Sequence, residues 1–243
     1  MKLFRGANVI RAALLLAIFV VLYDSRRRMI QWETHTHFTV QDRLTQYEPT
    51  AGARVKAFFD AANIAYPPAK LVLVGLKTER ELQVYAPDNQ GVMRFVHAYP
   101  ILAASGGPGP KLREGDGQVP EGIYKIDSLN PNSLYHLALR VGYPNEWDQA
   151  QALKDGRKDL GGDIMIHGAE GSVGCLAMGD PVSEDIFVLA AKTGIENIRL
   201  ILSPVDFRAR GLPAYMPHVP AWTGELYANL KAELAQLPEP REK

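Results

Sequence analysis

The stretch from Gly162 to Asp180, GDIMIHGAEGSVGCLAMGD, carries His167 and the only cysteine of the chain, Cys175. A thiol is a weak nucleophile until it loses its proton, so a cysteine used in catalysis needs a base beside it. Ile164, Met165 and Ile166 read as a short strand that delivers the histidine. Gly168, Gly171 and Gly174 give the backbone the freedom to turn the imidazole back toward the sulfur. In this reading His167 takes the thiol proton and later returns it to a leaving group. The backbone N–H groups of Val173, Gly174 and Cys175 are placed to converge on an oxyanion. A carbonyl at Gly168 or Ala169 is the first choice to orient the ring, ahead of Glu170 and Asp163, and Ser172 is expected to brace the loop and to meet substrate. Taken one at a time, an inert buried thiol and a core histidine describe these residues equally well. Their joint occurrence in one glycine-rich turn favours catalysis.

Other chemistries fit less well. One Cys and one His are too few for a zinc site, and His35 and His37 have no third ligand nearby. No metal or other cofactor is called for. With 27 basic and 27 acidic residues the formal charge is zero, which removes the electrostatic case for nucleic acid as a partner. A papain-like arrangement is disfavoured because the histidine precedes the cysteine.

The elements that must position these groups are mostly strands. Leu71 to Leu76 and Glu81 to Tyr85 read as a hairpin, and Val92 to Tyr99 as a third strand. Gly122 to Ile126, Leu134 to Val141 and Ile198 to Leu202 follow the same pattern. Ser105 to Gln118, rich in Gly, Pro and charge, reads as a long loop, and Trp147 to Leu160 as a loop or short helix. Helices are expected over Ala51 to Ala65, over Pro181 to Thr193 with Gly194 as the stop, and over Ala221 to Leu237. Helices do not alternate regularly with strands, so the fold class is mainly β with helical additions (α+β), an antiparallel sheet or sandwich.

Basic residues Lys2, Arg5 and Arg11 precede an apolar run from Ala12 to Tyr23. Residues 1–28 therefore read as a signal peptide or signal-anchor, with residues 9–23 able to hold the chain at a membrane. An amphipathic or buried helix is disfavoured because the run is apolar all round. Residues 29–50 read as a tether, 51–205 as the catalytic domain, and 206–243 as an extension with an amphipathic helix.

IMIHG…SVGCLAM is similar to the signature of YkuD-type L,D-transpeptidases, and its short spacer and Ala-Met after the cysteine resemble the YafK-like branch. VPEGIYKI (Val119 to Ile126) and NPNSLYHLALRVGYPN (Asn130 to Asn145) resemble further segments of that family in the same order. The resemblance spans about Leu71 to Leu202. It implies a β-sandwich catalytic domain in the periplasm or cell envelope that acts on peptidoglycan stem peptides through a cysteine acyl-enzyme. It implies Cys175 as nucleophile, His167 as base, and Gly174 and Cys175 N–H groups at the oxyanion. His136 matches the branch motif as a substrate-positioning or a structural residue, and Arg140 and Tyr143 are placed to meet a substrate carboxylate. The common family form has a second histidine where Val173 stands and a longer spacer. The lost bulk and polarity open hydrolysis, including release of a lipoprotein from peptidoglycan, beside transfer. A protein that keeps the fold and binds or anchors to peptidoglycan without catalysis is the alternative.

Overall fold

A computed structural model describes residues 37–214 and 217–240. The proposed signal segment, residues 1–28, the first part of the tether and His35 lie outside the described residues. Among the described residues no helix is long and apolar enough to cross a membrane, and no group of three or more His, Cys, Asp and Glu is placed to hold a metal.

Among the described residues nine strands form one hydrogen-bonded series: β1 (Leu71–Leu76), β2 (Glu81–Pro87), β3 (Met93–Pro100), β4 (Ala103–Ala104), β5 (Gly122–Ser133), β6 (His136–Val141), β7 (Met165–His167), β8 (Leu176–Ala177) and β9 (Ile198–Ser203), ordered β3-β2-β1-β9-β5-β6-β7-β8-β4. The mainly β, α+β expectation agrees with this architecture. The sheet is mixed rather than purely antiparallel, because β1 runs parallel to β9 and β7 parallel to β8. Strand β5 changes partner along its length. Gly122 to Lys125 pair with β9, and Ile126 to Ser133 pair with β6. This divides the sheet into a half that carries the core on both faces and a half that carries the candidate site, into which Leu137, Leu139, Ile166 and Leu176 continue that core.

The core half is apolar on both faces, as strands covered on both sides must be. Leu73, Leu82, Leu200 and Leu202 pack with Val55 and Phe59 of α2 (Ala53–Ala61) and with Phe187 of α4 (Asp180–Thr193). Val74, Leu76, Tyr85 and Ile201 alternate to the other face. They meet Leu226, Tyr227, Leu230 and Leu234 of α5 (Thr223–Leu234). The C-terminal extension is thus part of the domain's packing. Its Tyr227 hydroxyl donates to Glu121 (2.8 Å), which forms a buried ion pair with Lys77 (3.0 Å).

The second part of the tether is also built in. Thr39 and Asp42 form a capping box that starts α1 (Val40–Tyr47), and a wide helical turn over Glu48–Gly52 leads into α2. The segment read as a loop or short helix contains α3 (Glu146–Lys154), capped reciprocally by Asn145 and Asp148. Helix α4 begins with Pro181 in its first turn and ends at Gly194, whose φ of 82° suits glycine.

Candidate active site

His167 closes strand β7, with Ala138 of β6 on one side and Ala177 of β8 on the other. Paired residues on neighbouring strands project to the same face, and residues two apart on one strand share a face. Cys175 lies two positions before Ala177, in the bend that leads into β8, so the thiol is carried by the segment that enters the strand beside His167.

The ring of His167 is held in one tautomer. Its Nδ1 lies 2.5 Å from the Gly168 carbonyl oxygen. A carbonyl only accepts, so Nδ1 carries the proton and Nε2 keeps a lone pair able to take another. The residue is 2% exposed, and burial holds its pKa below the ordinary histidine value, although the Gly168 hydrogen bond pulls the other way. A base that stays neutral at physiological pH follows from that burial.

The turn after His167 is fixed from several directions. The Met178 N–H donates to the His167 carbonyl (2.8 Å), and the Gly168 N–H donates to Leu137 of β6 (3.2 Å). Ala169 sits at φ 57° with its N–H on the Asp180 carboxylate (2.8 Å), and its carbonyl accepts the Gly179 N–H (2.9 Å). Asp180, at the start of α4, is thus a positioning residue that sequence reasoning missed. The carbonyl that orients the ring belongs to Gly168. Ala169 is spent on the α4 entrance, Asp163 on Arg140, and Glu170 is exposed.

The Cys175 thiol is half-buried and donates to the Asp163 carbonyl at 3.7 Å. Burial pushes its pKa up, and the Asp163 carboxylate adds to that. The Met165 backbone and the Lys111 ammonium oppose it. Thiol and imidazole are therefore both neutral at pH 7, rather than a preformed thiolate–imidazolium pair. Iodoacetamide is expected to label Cys175 slowly at pH 7. Its rate should climb only as pH rises past the ordinary thiol value of about 8.5. Because this is the only thiol, intact-mass spectrometry reads the rate directly, and fast labelling at pH 6 would overturn the neutral-pair assignment.

Two serines brace the segment before the sulfur. The Ser172 hydroxyl donates to the Cys175 carbonyl (2.5 Å) and accepts from the Ser105 N–H (3.2 Å). The Ser105 hydroxyl accepts the Gly174 N–H at 2.5 Å. This corrects two expectations. Gly174 does not hold its N–H free toward an oxyanion, because Ser105 already takes it. Ser172 supports the loop and spends its hydroxyl there instead of on a ligand. Gly174 itself is required by its φ of 92°. Nothing in the spacing of the sequence ties Ser105 to this loop from so far upstream.

The remaining sequence-based candidates separate. Arg140 on β6 pairs with Asp163 at 3.0 Å, and both side chains are well exposed. Asp163 holds the thiol with its backbone carbonyl and Arg140 with its carboxylate, and the Arg140 guanidinium is open to solvent. His136 donates from Nε2 to Glu184 of α4 (3.0 Å) and meets the Tyr47 ring edge-on at 5.4 Å, so its ring is committed to the fold. Tyr143 is buried, with its hydroxyl donating to the Leu160 carbonyl (3.2 Å). It faces inward, so the expectation that it meets a substrate carboxylate is not met.

Residues 69–197, just over half of the chain, match the model of the YkuD family, the L,D-transpeptidase catalytic domain. YafK of Escherichia coli strain K12, itself a candidate L,D-transpeptidase, is 37% identical over 113 residues. That stretch covers 46% of this chain and 43% of YafK, so the chain matches less than half the length of that relative. Among solved structures, the helical cell shape determining protein Pgp2 of Campylobacter jejuni superposes with a TM-score of 0.46 at 24% identity, over 64% of this chain and 56% of that one. Bd1075 of Bdellovibrio bacteriovorus gives 0.41 at 19% identity, over 72% and 58%. Both are distant likenesses. The family match encloses β1 to β8 and both residues of the candidate pair, and the chain belongs to the YkuD family of L,D-transpeptidase catalytic domains.

Proposed function

We propose that this protein is a cell-envelope cysteine acyl-transfer enzyme that acts on peptidoglycan stem peptides through a Cys175 acyl-enzyme. The observation that carries the reading is the tautomer of His167. With Nδ1 donating to Gly168, Nε2 is left as the proton acceptor, on the strand that pairs with the one Cys175 leads into.

Nε2 takes the Sγ proton as the sulfur attacks an amide carbonyl of the stem peptide. The oxyanion that forms is met by the Cys175 N–H. Collapse expels an amine, which receives the proton from the imidazolium, and leaves a thioester. An incoming amine or water then gives its proton to Nε2 and attacks the thioester, and the sulfur departs as the thiol. Arg140, exposed and paired with Asp163, supplies a guanidinium for a substrate carboxylate. Val173, at 84% exposure, borders the nucleophile without a polar group. This open, wet border supports water as well as an amine as acceptor, and release of a peptidoglycan-linked lipoprotein is one form of the hydrolytic reaction. Residues 9–23, as a signal or an anchor, would deliver the domain to the periplasm.

Incubation with purified peptidoglycan followed by chromatography of the muropeptides tests the reading. New crosslinks indicate transfer, and shortened stems or freed lipoprotein indicate hydrolysis. Sedimentation with peptidoglycan but no new product, identical for wild type and Cys175→Ala, would replace the enzyme with a binding or anchoring protein.

A further inference from the structure

His167 must meet a substrate, yet it is almost fully covered. The cover on one side is Tyr135, at the tip of the β5–β6 hairpin. Its ring centroid lies 4.8 Å from that of His167, with the ring planes 33° apart. The tip is pinned there. Ser133 pairs with His136, the Ser133 hydroxyl accepts the Tyr135 N–H (3.0 Å), and His136, at φ 72°, is tied to Glu184. The Tyr135 carbonyl also presses on the turn below the imidazole, since a β-carbon at Gly168 would come within 2.8 Å of it. The other ring face of Tyr135 is left in solvent, because the residue is 52% exposed.

We infer that Tyr135 is a positioning residue of this site: its ring lies over the His167 imidazole and keeps water off the group that the proposed reaction uses as its base. The inference rests on that reading of His167 and adds a residue to it. Burial is the main cause of the lowered His167 pKa, and Tyr135 is the part of that burial contributed by a half-exposed side chain. The charged and titratable groups on the segments that flank His167 come from other elements. They are Cys175 from the β8 side, Asp180 of α4 through the Ala169 N–H, the His136–Glu184 pair, and the Arg140–Asp163 pair across β6 and β7. Substitution of Tyr135 changes none of these charges. The role comes from the ring, so phenylalanine should replace tyrosine.

The test is an NMR titration of the His167 ring in the intact chain, with the signal assigned by its loss in His167→Gln. Tyr135→Phe should titrate with the wild type. Tyr135→Ala should titrate higher, toward the ordinary histidine value of about 6.5, and should carry the acidic limb of kcat/KM with it. An unmoved midpoint in Tyr135→Ala, or a Tyr135→Phe midpoint displaced like that of alanine, would overturn the inference. The titration needs no substrate, so it decides the role of Tyr135 independently of whether peptidoglycan is turned over. Failure of the acyl-transfer reading would show instead as absent products with the titration intact.

Discussion

Cys175→Ala is expected to eliminate thioester formation and all turnover of peptidoglycan, with the domain still folded. The side chain is half-buried and is not one of the packed core residues, although its neighbour Leu176 is. His167→Gln should lose activity by about 10³-fold or more, since a nucleophile without its base attacks slowly at neutral pH. The burial-raised thiol pKa makes that dependence stronger, because few thiolates exist before the base acts. The double variant should be no worse than Cys175→Ala alone, because the two groups work on one proton and one bond. Intact-mass detection of the acyl-enzyme, with muropeptide chromatography for turnover, measures all three. A His167→Gln variant that keeps more than about a tenth of wild-type turnover would remove the histidine from the reaction.

The sequence shows a good part of this arrangement because apolar periodicity and glycine placement are local properties. Strands β1, β2, β3 and β9 and helix α4 are readable from alternation, turns and caps. The two-residue strands β4 and β8 are too short to show a period. Helix α1 has Val40, Leu44 and Tyr47 at helical spacing and a Thr39–Asp42 capping signature, but it is short and polar on average, and it buries no residue completely. The pair His167 and Cys175 stands out because both residue types are rare and close in sequence. Ser105, Asp180 and Tyr135 do not, because each acts through register and approach of distant segments. The mistaken placement of Tyr143 has the same origin: a tyrosine next to a conspicuous motif gives no sign of which way its strand end turns.

Gly168→Ala is the second large effect, and it tests the geometry rather than the chemistry. A β-carbon there would lie 2.5 Å from the Asp180 carboxylate, 2.8 Å from the Tyr135 carbonyl and 2.9 Å from the His136 side chain. Two of these neighbours are held. The Asp180 carboxylate accepts the Ala169 N–H, and the Tyr135 carbonyl belongs to the pinned hairpin tip. The Gly168 peptide itself must therefore move, and its carbonyl is the acceptor that fixes the His167 tautomer. A displacement near 1 Å in a positioning group costs about 10²-fold in rate, so kcat should fall by about that factor while the thiol remains available to iodoacetamide. The substitution removes no core side chain, so far-UV circular dichroism should remain that of the wild type. Wild-type kcat in Gly168→Ala would mean that the turn relaxes without disturbing the ring, and the Gly168 carbonyl would then lose its assigned role in holding the base.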